Sequence, residues 1–237
     1  MNILITGGAS GLGKDITLLL AKDNKKNIHI TYNRSKDEAL SLSAKSNNVN
    51  CINLNFKDTK SINSLISLIP KLDIDVLINN AYSGSNTIHF NKIDIDILKK
   101  SFENNILPTL LITKSSINVF KAKKFGKIIN ILSSYIMSKP KVGLSEYIAN
   151  KSYLLSMSNS WASEFARHNI TSNSISPSFM NTNFTKNIDP RIIETIKNNN
   201  PLREILKTKD VAEAVEYFVD CSQQVNGQNL VINNNLD

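Results

Sequence analysis

The chain has 237 residues, 41% of them hydrophobic and 20% charged, and a net charge of +8. That length suits one large domain, and the apolar share excludes a disordered chain. No apolar run approaches the roughly 20 residues of a membrane span, and the two cysteines, Cys51 and Cys221, can build neither a disulfide framework nor a zinc site.

No basic leader precedes the first apolar segment, so a cytoplasmic, reducing location is expected. The positive charge does not imply nucleic acid. The lysines are scattered without interleaved aromatics, and the one group, Lys121, Lys123, Lys124 and Lys127 around Gly126, reads as a solvated helix-to-strand turn. His29, His89 and His168 lack metal-ligand spacing, so no metal is expected.

The first strand, 2–6, runs into Thr6-Gly7-Gly8-Ala9-Ser10-Gly11-Leu12-Gly13 and a helix over 12–22. Four of the eight glycines fall in these eight positions. Glycine lets a backbone approach a ligand closely, and the helix N-terminus behind it favours a pyrophosphate. A second strand, 27–32, ends at Asn33-Arg34-Ser35 before a helix over 36–45. An acidic residue at such a point would hold ribose hydroxyls and repel a 2′-phosphate; Arg34 and Ser35 suit that phosphate instead. NADP(H) is therefore favoured over NAD(H), which stays possible. A third strand, 49–54, precedes Asn55-Phe56 and a helix over 59–69. A fourth, 74–79, ends in Asn79-Asn80-Ala81, and one long helix follows over 95–120.

The fifth strand, 127–132, leads to Ser133-Ser134 and a helix over 147–168. The sixth, 171–175, opens a polar segment, 176–202, with three prolines and a weak central helix; it reads as a substrate loop. A helix over 209–221 and a strand over 229–232 complete the chain. This alternation predicts an α/β fold: a Rossmann-like, doubly wound, seven-stranded parallel sheet with helices on both faces, in a single domain spanning 1–237.

A lysine follows a tyrosine by four residues at Tyr32/Lys36, Tyr135/Lys139 and Tyr147/Lys151. Such a pair shares a face only on a helix. Tyr32 closes a strand, and Pro140 disfavours helix at Lys139. That leaves Tyr147 and Lys151.

Together these motifs resemble the short-chain dehydrogenase/reductase family, in its compact single-domain branch, and the 3-oxoacyl-acyl-carrier-protein reductases within it. The resemblance spans essentially the whole chain. It implies a catalytic set of Asn105, Ser134, Tyr147 and Lys151, with Ser134 standing 13 residues before Tyr147. It also implies cofactor contacts from Thr6, Gly7, Ser10, Gly11, Leu12, Gly13, Asn33, Arg34, Ser35, Asn55, Phe56, Asn79, Ala81, Tyr147, Lys151, Pro177 and Thr182. The expected activity interconverts a carbonyl and a secondary alcohol, with a small-molecule substrate, no nucleic-acid or membrane partner, and a homodimer or homotetramer built on the helices of Asn105 and Tyr147. In that chemistry Tyr147 protonates the oxyanion, the Lys151 ammonium lowers the phenol's pKa, the serine orients the carbonyl, and Asn105 fixes a relay water.

Four departures stand out: Tyr82 and Ser178 where the family has glycine, Asn55 where aspartate is common, and Asn233-Asn234-Asn235 in place of Asp-Gly-Gly. Tyr82 and Ser178 motivate an alternative, a cofactor-binding sensor or scaffold without turnover.

Overall fold

The computed structural model describes residues 1–84, 87–182 and 189–234. Seven strands form one parallel sheet in the order β3-β2-β1-β4-β5-β6-β7. They are β1 (Asn2–Ile5), β2 (Asn27–Tyr32), β3 (Val49–Asn53), β4 (Val76–Asn79), β5 (Gly126–Ile131), β6 (Ile170–Pro177) and β7 (Asn229–Ile232). The order reverses between β1 and β4, and at such a switch point a crevice opens beyond the carboxyl ends of the strands.

Side-chain alternation explains the two layers. Ile3 and Ile5 face one core while Leu4 faces the other; Val76 and Ile78 are likewise opposed to Leu77. The first core packs α1 (Gly11–Leu20), α2 (Lys36–Lys45) and α8 (Thr208–Asp220). The second packs α3 (Thr59–Leu72), α5 (Leu107–Lys123) and α6 (Ser145–Phe165). The doubly wound parallel fold expected from the alternation is the one observed.

Three details differ from expectation. The helix expected over 95–120 is broken into α4 (Ile95–Ser101), a π-helical turn (Phe102–Ile106) and α5. Pro108 explains the break: it has no N–H to give the carbonyl four residues back, and its ring crowds that carbonyl, so the chain widens upstream. Asn105 sits in this turn. The segment 176–202 begins within β6 and contains α7 (Pro190–Asn199); its positions 183–188 lie outside the described residues.

The lysine group around Gly126 is not simply solvated. Lys127 is 3% exposed and donates from Nζ to the carbonyls of Phe218 (3.4 Å), Val219 (2.8 Å) and Cys221 (2.5 Å), closing the C-terminus of α8. Lys123 pairs with Asp73 and Asp75 at 3.0 and 2.6 Å. No helix among the described residues is long and apolar enough to cross a membrane.

Candidate active site

A cleft of about 610 Å³ runs along the carboxyl ends of the strands, between the glycine loop and α6. Gly7 has φ +68°, an angle that favours glycine. Its N–H donates to Thr31 Oγ1 (3.0 Å) and its carbonyl accepts from Asn80 Nδ2 (3.1 Å), which ties the loop to both neighbouring strands. Gly13 meets a packing demand, because a Cβ there would lie 2.1 Å from the Gly7 carbonyl oxygen. Ser10 caps α1 without a side-chain bond, and the first turn holds no acidic residue. Gly7, Ser10, Gly11, Leu12 and Gly13 all line the cleft. The open N–H groups and positive dipole end of α1 therefore fit a pyrophosphate.

Beyond β2, Asn33, Arg34 and Ser35 line the far end of the cleft, with Phe56 after β3. No carboxylate is among the described residues lining it. Ala81 and Thr182 border the middle, and the Thr182 Cβ would lie 3.6 Å from a Cβ built on Gly11.

Four of the expected cofactor residues do not line the cleft. The Thr6 hydroxyl donates to the Ile78 carbonyl and accepts from the N–H groups of Asn80 and Ala81, holding β1 to the end of β4. Asn55 shapes a turn: its Oδ1 accepts from the Lys57 N–H at 3.0 Å. Asn79 points into the protein, donating to Thr113 Oγ1 (3.0 Å) and Asn130 Oδ1 (2.9 Å). Pro177 is buried at the end of β6. Asn80 is the residue that reading missed. Consecutive strand residues face opposite ways, so Asn79 and Asn80 could not both face the cleft.

Tyr147 and Lys151 stand one turn apart on α6 and both border the cleft. Of the two serines it is Ser133, not Ser134, whose side chain acts on the Tyr147 hydroxyl. Ser134 instead lines a separate cavity of about 160 Å³ between the end of β5 and α7. The interval from Tyr147 counts through an irregular loop; counting from the end of β5 would have singled out Ser133. Lys151 is 4% exposed, and its Nζ donates to the Ile131 carbonyl at 2.8 Å. Burial pushes the phenol of Tyr147 up to about 12, against the pull of the Ser133 side chain. Burial brings Lys151 down to about 7. Burial is the largest cause acting on each of the two groups. Desolvation disfavours the charged form of both, raising the phenol and lowering the amine. No group of three or more potential metal ligands occurs among the described residues.

The sequence model for the short chain dehydrogenases matches residues 1–192. The chain belongs to the short-chain dehydrogenase/reductase family. Among its relatives, the 3-oxoacyl-[acyl-carrier-protein] reductase FabG of Rickettsia typhi is 31% identical over 234 residues, covering 98% of this chain and 95% of that protein. The corresponding enzyme of Rickettsia prowazekii is 32% identical over 235 residues, with the same coverage. Of solved structures, ElxO with NADP bound is 26% identical with a TM-score of 0.87, covering 98% of this chain and 97% of the other. Acetoin dehydrogenase YohF from Salmonella typhimurium shares the fold at 24% identity and a TM-score of 0.86, covering 98% and 94%. This short-chain dehydrogenase/reductase is an NAD(P)-dependent oxidoreductase acting on a carbonyl/alcohol pair.

The Tyr82 ring meets the Tyr147 ring edge to face at 5.2 Å, and the Lys151 Nζ lies 4.6 Å from its centroid. Its hydroxyl donates to Glu146 Oε1 (3.1 Å) and accepts from Asn150 Nδ2 (3.0 Å). Asn150 also donates to Ser101 Oγ and Glu146 Oε1, both at 2.9 Å, and Ser101 Oγ donates to Glu146. Asn105, 2% exposed, completes the cluster but does not line the cleft. Its Oδ1 accepts from the N–H and hydroxyl of Ser83, and its Nδ2 donates to the carbonyls of Ser83 and Ser101.

Proposed function

We propose that the enzyme reduces the 3-oxo group of an acyl thioester to a secondary alcohol, with NADPH as the reductant and Tyr147 as the proton donor. The observation that carries this reading is that Tyr147 and Lys151 border the same cleft as the glycine loop, with the Ser133 side chain acting on the Tyr147 hydroxyl. Two hydroxyls that meet in this way can both donate to one carbonyl oxygen. Ser133, rather than Ser134, then orients that oxygen. A nicotinamide held along the cleft by the glycine loop would supply the hydride to the carbonyl carbon. As the carbon–oxygen π electrons pass to oxygen, Tyr147 gives up its proton and forms the O–H bond. Lys151, poised near neutrality, offsets the charge left on the phenol when it is an ammonium.

Arg34 and Ser35, with no carboxylate beside them in the cleft lining, support the choice of NADPH over NADH. The relatives that bear the name 3-oxoacyl-[acyl-carrier-protein] reductase support the substrate class. Segment 176–202 serves as the substrate loop of a single domain, and α5 and α6 pair subunits. Leu107, Leu111 and Tyr153, 44%, 36% and 39% exposed, support that surface. Initial-rate assays of NADPH oxidation with short 3-oxoacyl thioesters test the reading. Turnover with these thioesters, faster with NADPH than with NADH, is expected. NADPH binding with no oxidation across thioesters and simple ketones would overturn it.

A further inference from the structure

We infer that Tyr82 is a positioning residue for Lys151, holding its ammonium against an anchored aromatic face beside Tyr147. The inference rests on the reductase reading, which gives Lys151 its task, but the contact itself is independent of that reading.

Lys151 Nζ has the Ile131 carbonyl on one side, at 2.8 Å, and the Tyr82 ring face at 4.6 Å. The Tyr147 ring is farther, at 5.8 Å from Nζ to centroid. A ring face carries negative charge density and attracts a cation without taking up a hydrogen bond. The ring is held from its far end, because its hydroxyl is gripped by Glu146 and Asn150. Those two residues are four apart on α6, as are Tyr147 and Lys151, so neighbouring ridges of one helix carry the anchor and the pair it serves. Asn105 spends both acceptor sites on Ser83 and both donor hydrogens on the Ser83 and Ser101 carbonyls. While those bonds hold, its amide has nothing left with which to fix a water toward Lys151.

The rings of Tyr82 after β4 and Tyr147 on α6 lie against the ammonium, and Glu146 on α6 and Tyr135 after β5 act in turn on Tyr147. Burial raises all three phenols above their ordinary values, so none of them titrates beside Lys151 in the neutral range.

The test compares Tyr82→Phe and Tyr82→Leu in the pH profile of kcat/KM, with NADPH and a 3-oxoacyl thioester. Tyr82→Leu keeps the site dry but removes the ring face, so the basic limb should move to lower pH by about 0.4 to 1.5 units. Tyr82→Phe keeps the face but loses the grip of Glu146 and Asn150, so the limb should move less than in Tyr82→Leu. A limb that stays put in Tyr82→Leu overturns the inference. Tyr82→Met serves the same purpose if the leucine variant does not fold. A second measurement needs no turnover: a urea-unfolding cycle of Tyr82→Leu with Lys151→Met at about pH 6 and about pH 9. Coupling at the lower pH that disappears at the higher one supports the contact, even if the thioester reading fails. Coupling that is equal at both, or absent at both, overturns it.

Discussion

Replacing Lys151 by methionine should flatten the dependence of stability on pH. Burial lowers this lysine from 10.5 to about 7 in the folded chain. Between those values the unfolded chain binds the proton more readily, so stability must rise with pH across the window. Each pKa unit is worth about 1.4 kcal/mol, which puts a ceiling of about 5 kcal/mol on the whole rise. The substitution also leaves the Ile131 carbonyl without its donor, a loss of about 1–3 kcal/mol that does not vary with pH. Lys151→Met should therefore be the more stable protein near pH 6.5, by a few kcal/mol, and lose that advantage by about pH 9.5. Tyr147 acts in the opposite direction, but only above its ordinary value of 10.0. Lys127, also lowered by burial, is common to both proteins and cancels in the difference. Urea unfolding of both proteins, without NADP(H), at the two pH values measures the effect. A stability difference that is the same at both would refute the argument that Lys151 is held dry.

Ser133→Ala should lower kcat by about 10²- to 10³-fold at saturating NADPH, whereas Ser134→Ala should change it by less than about 3-fold. Steady-state rates on one accepted thioester decide between the two serines. Arg34→Ala should raise the KM for NADPH by about 10- to 100-fold while leaving that for NADH nearly unchanged, as expected for loss of a charge-assisted contact to a 2′-phosphate. Equal effects on the two cofactors would count against the phosphate site. Gly13→Ala would force a Cβ to 2.1 Å from the Gly7 carbonyl oxygen, so the loop must shift. Fluorescence titration should find NADPH binding lost.

The strands were legible because Ile3, Leu4 and Ile5, or Val76, Leu77 and Ile78, are apolar without interruption, as burial on both faces requires. The pairing of Tyr147 with Lys151 was legible because helical spacing is local. Ser133 was missed because the distance from Tyr147 was counted along a loop, and arc length through a loop does not fix position. Asn79 was expected to face the cofactor, and alternation turns its side chain toward Thr113 and Asn130. The break at Pro108 was available in the residues and was outweighed by helical periodicity on either side. The environment of Lys127 was not available, since it depends on where β5 meets the end of α8. The cluster of Tyr82, Ser101, Asn105, Glu146 and Asn150 comes from three separate segments, and no local pattern announces it.

Hydride transfer in the Tyr147→Phe variant tests the central claim most directly. In a single turnover with NADPH already bound and a 3-oxoacyl thioester added, the rate should fall by about 10²- to 10⁴-fold. NADPH affinity should stay within about 3-fold of wild type, since only the phenol oxygen is removed. A variant that transfers hydride at the wild-type rate would contradict the assignment of the proton to Tyr147.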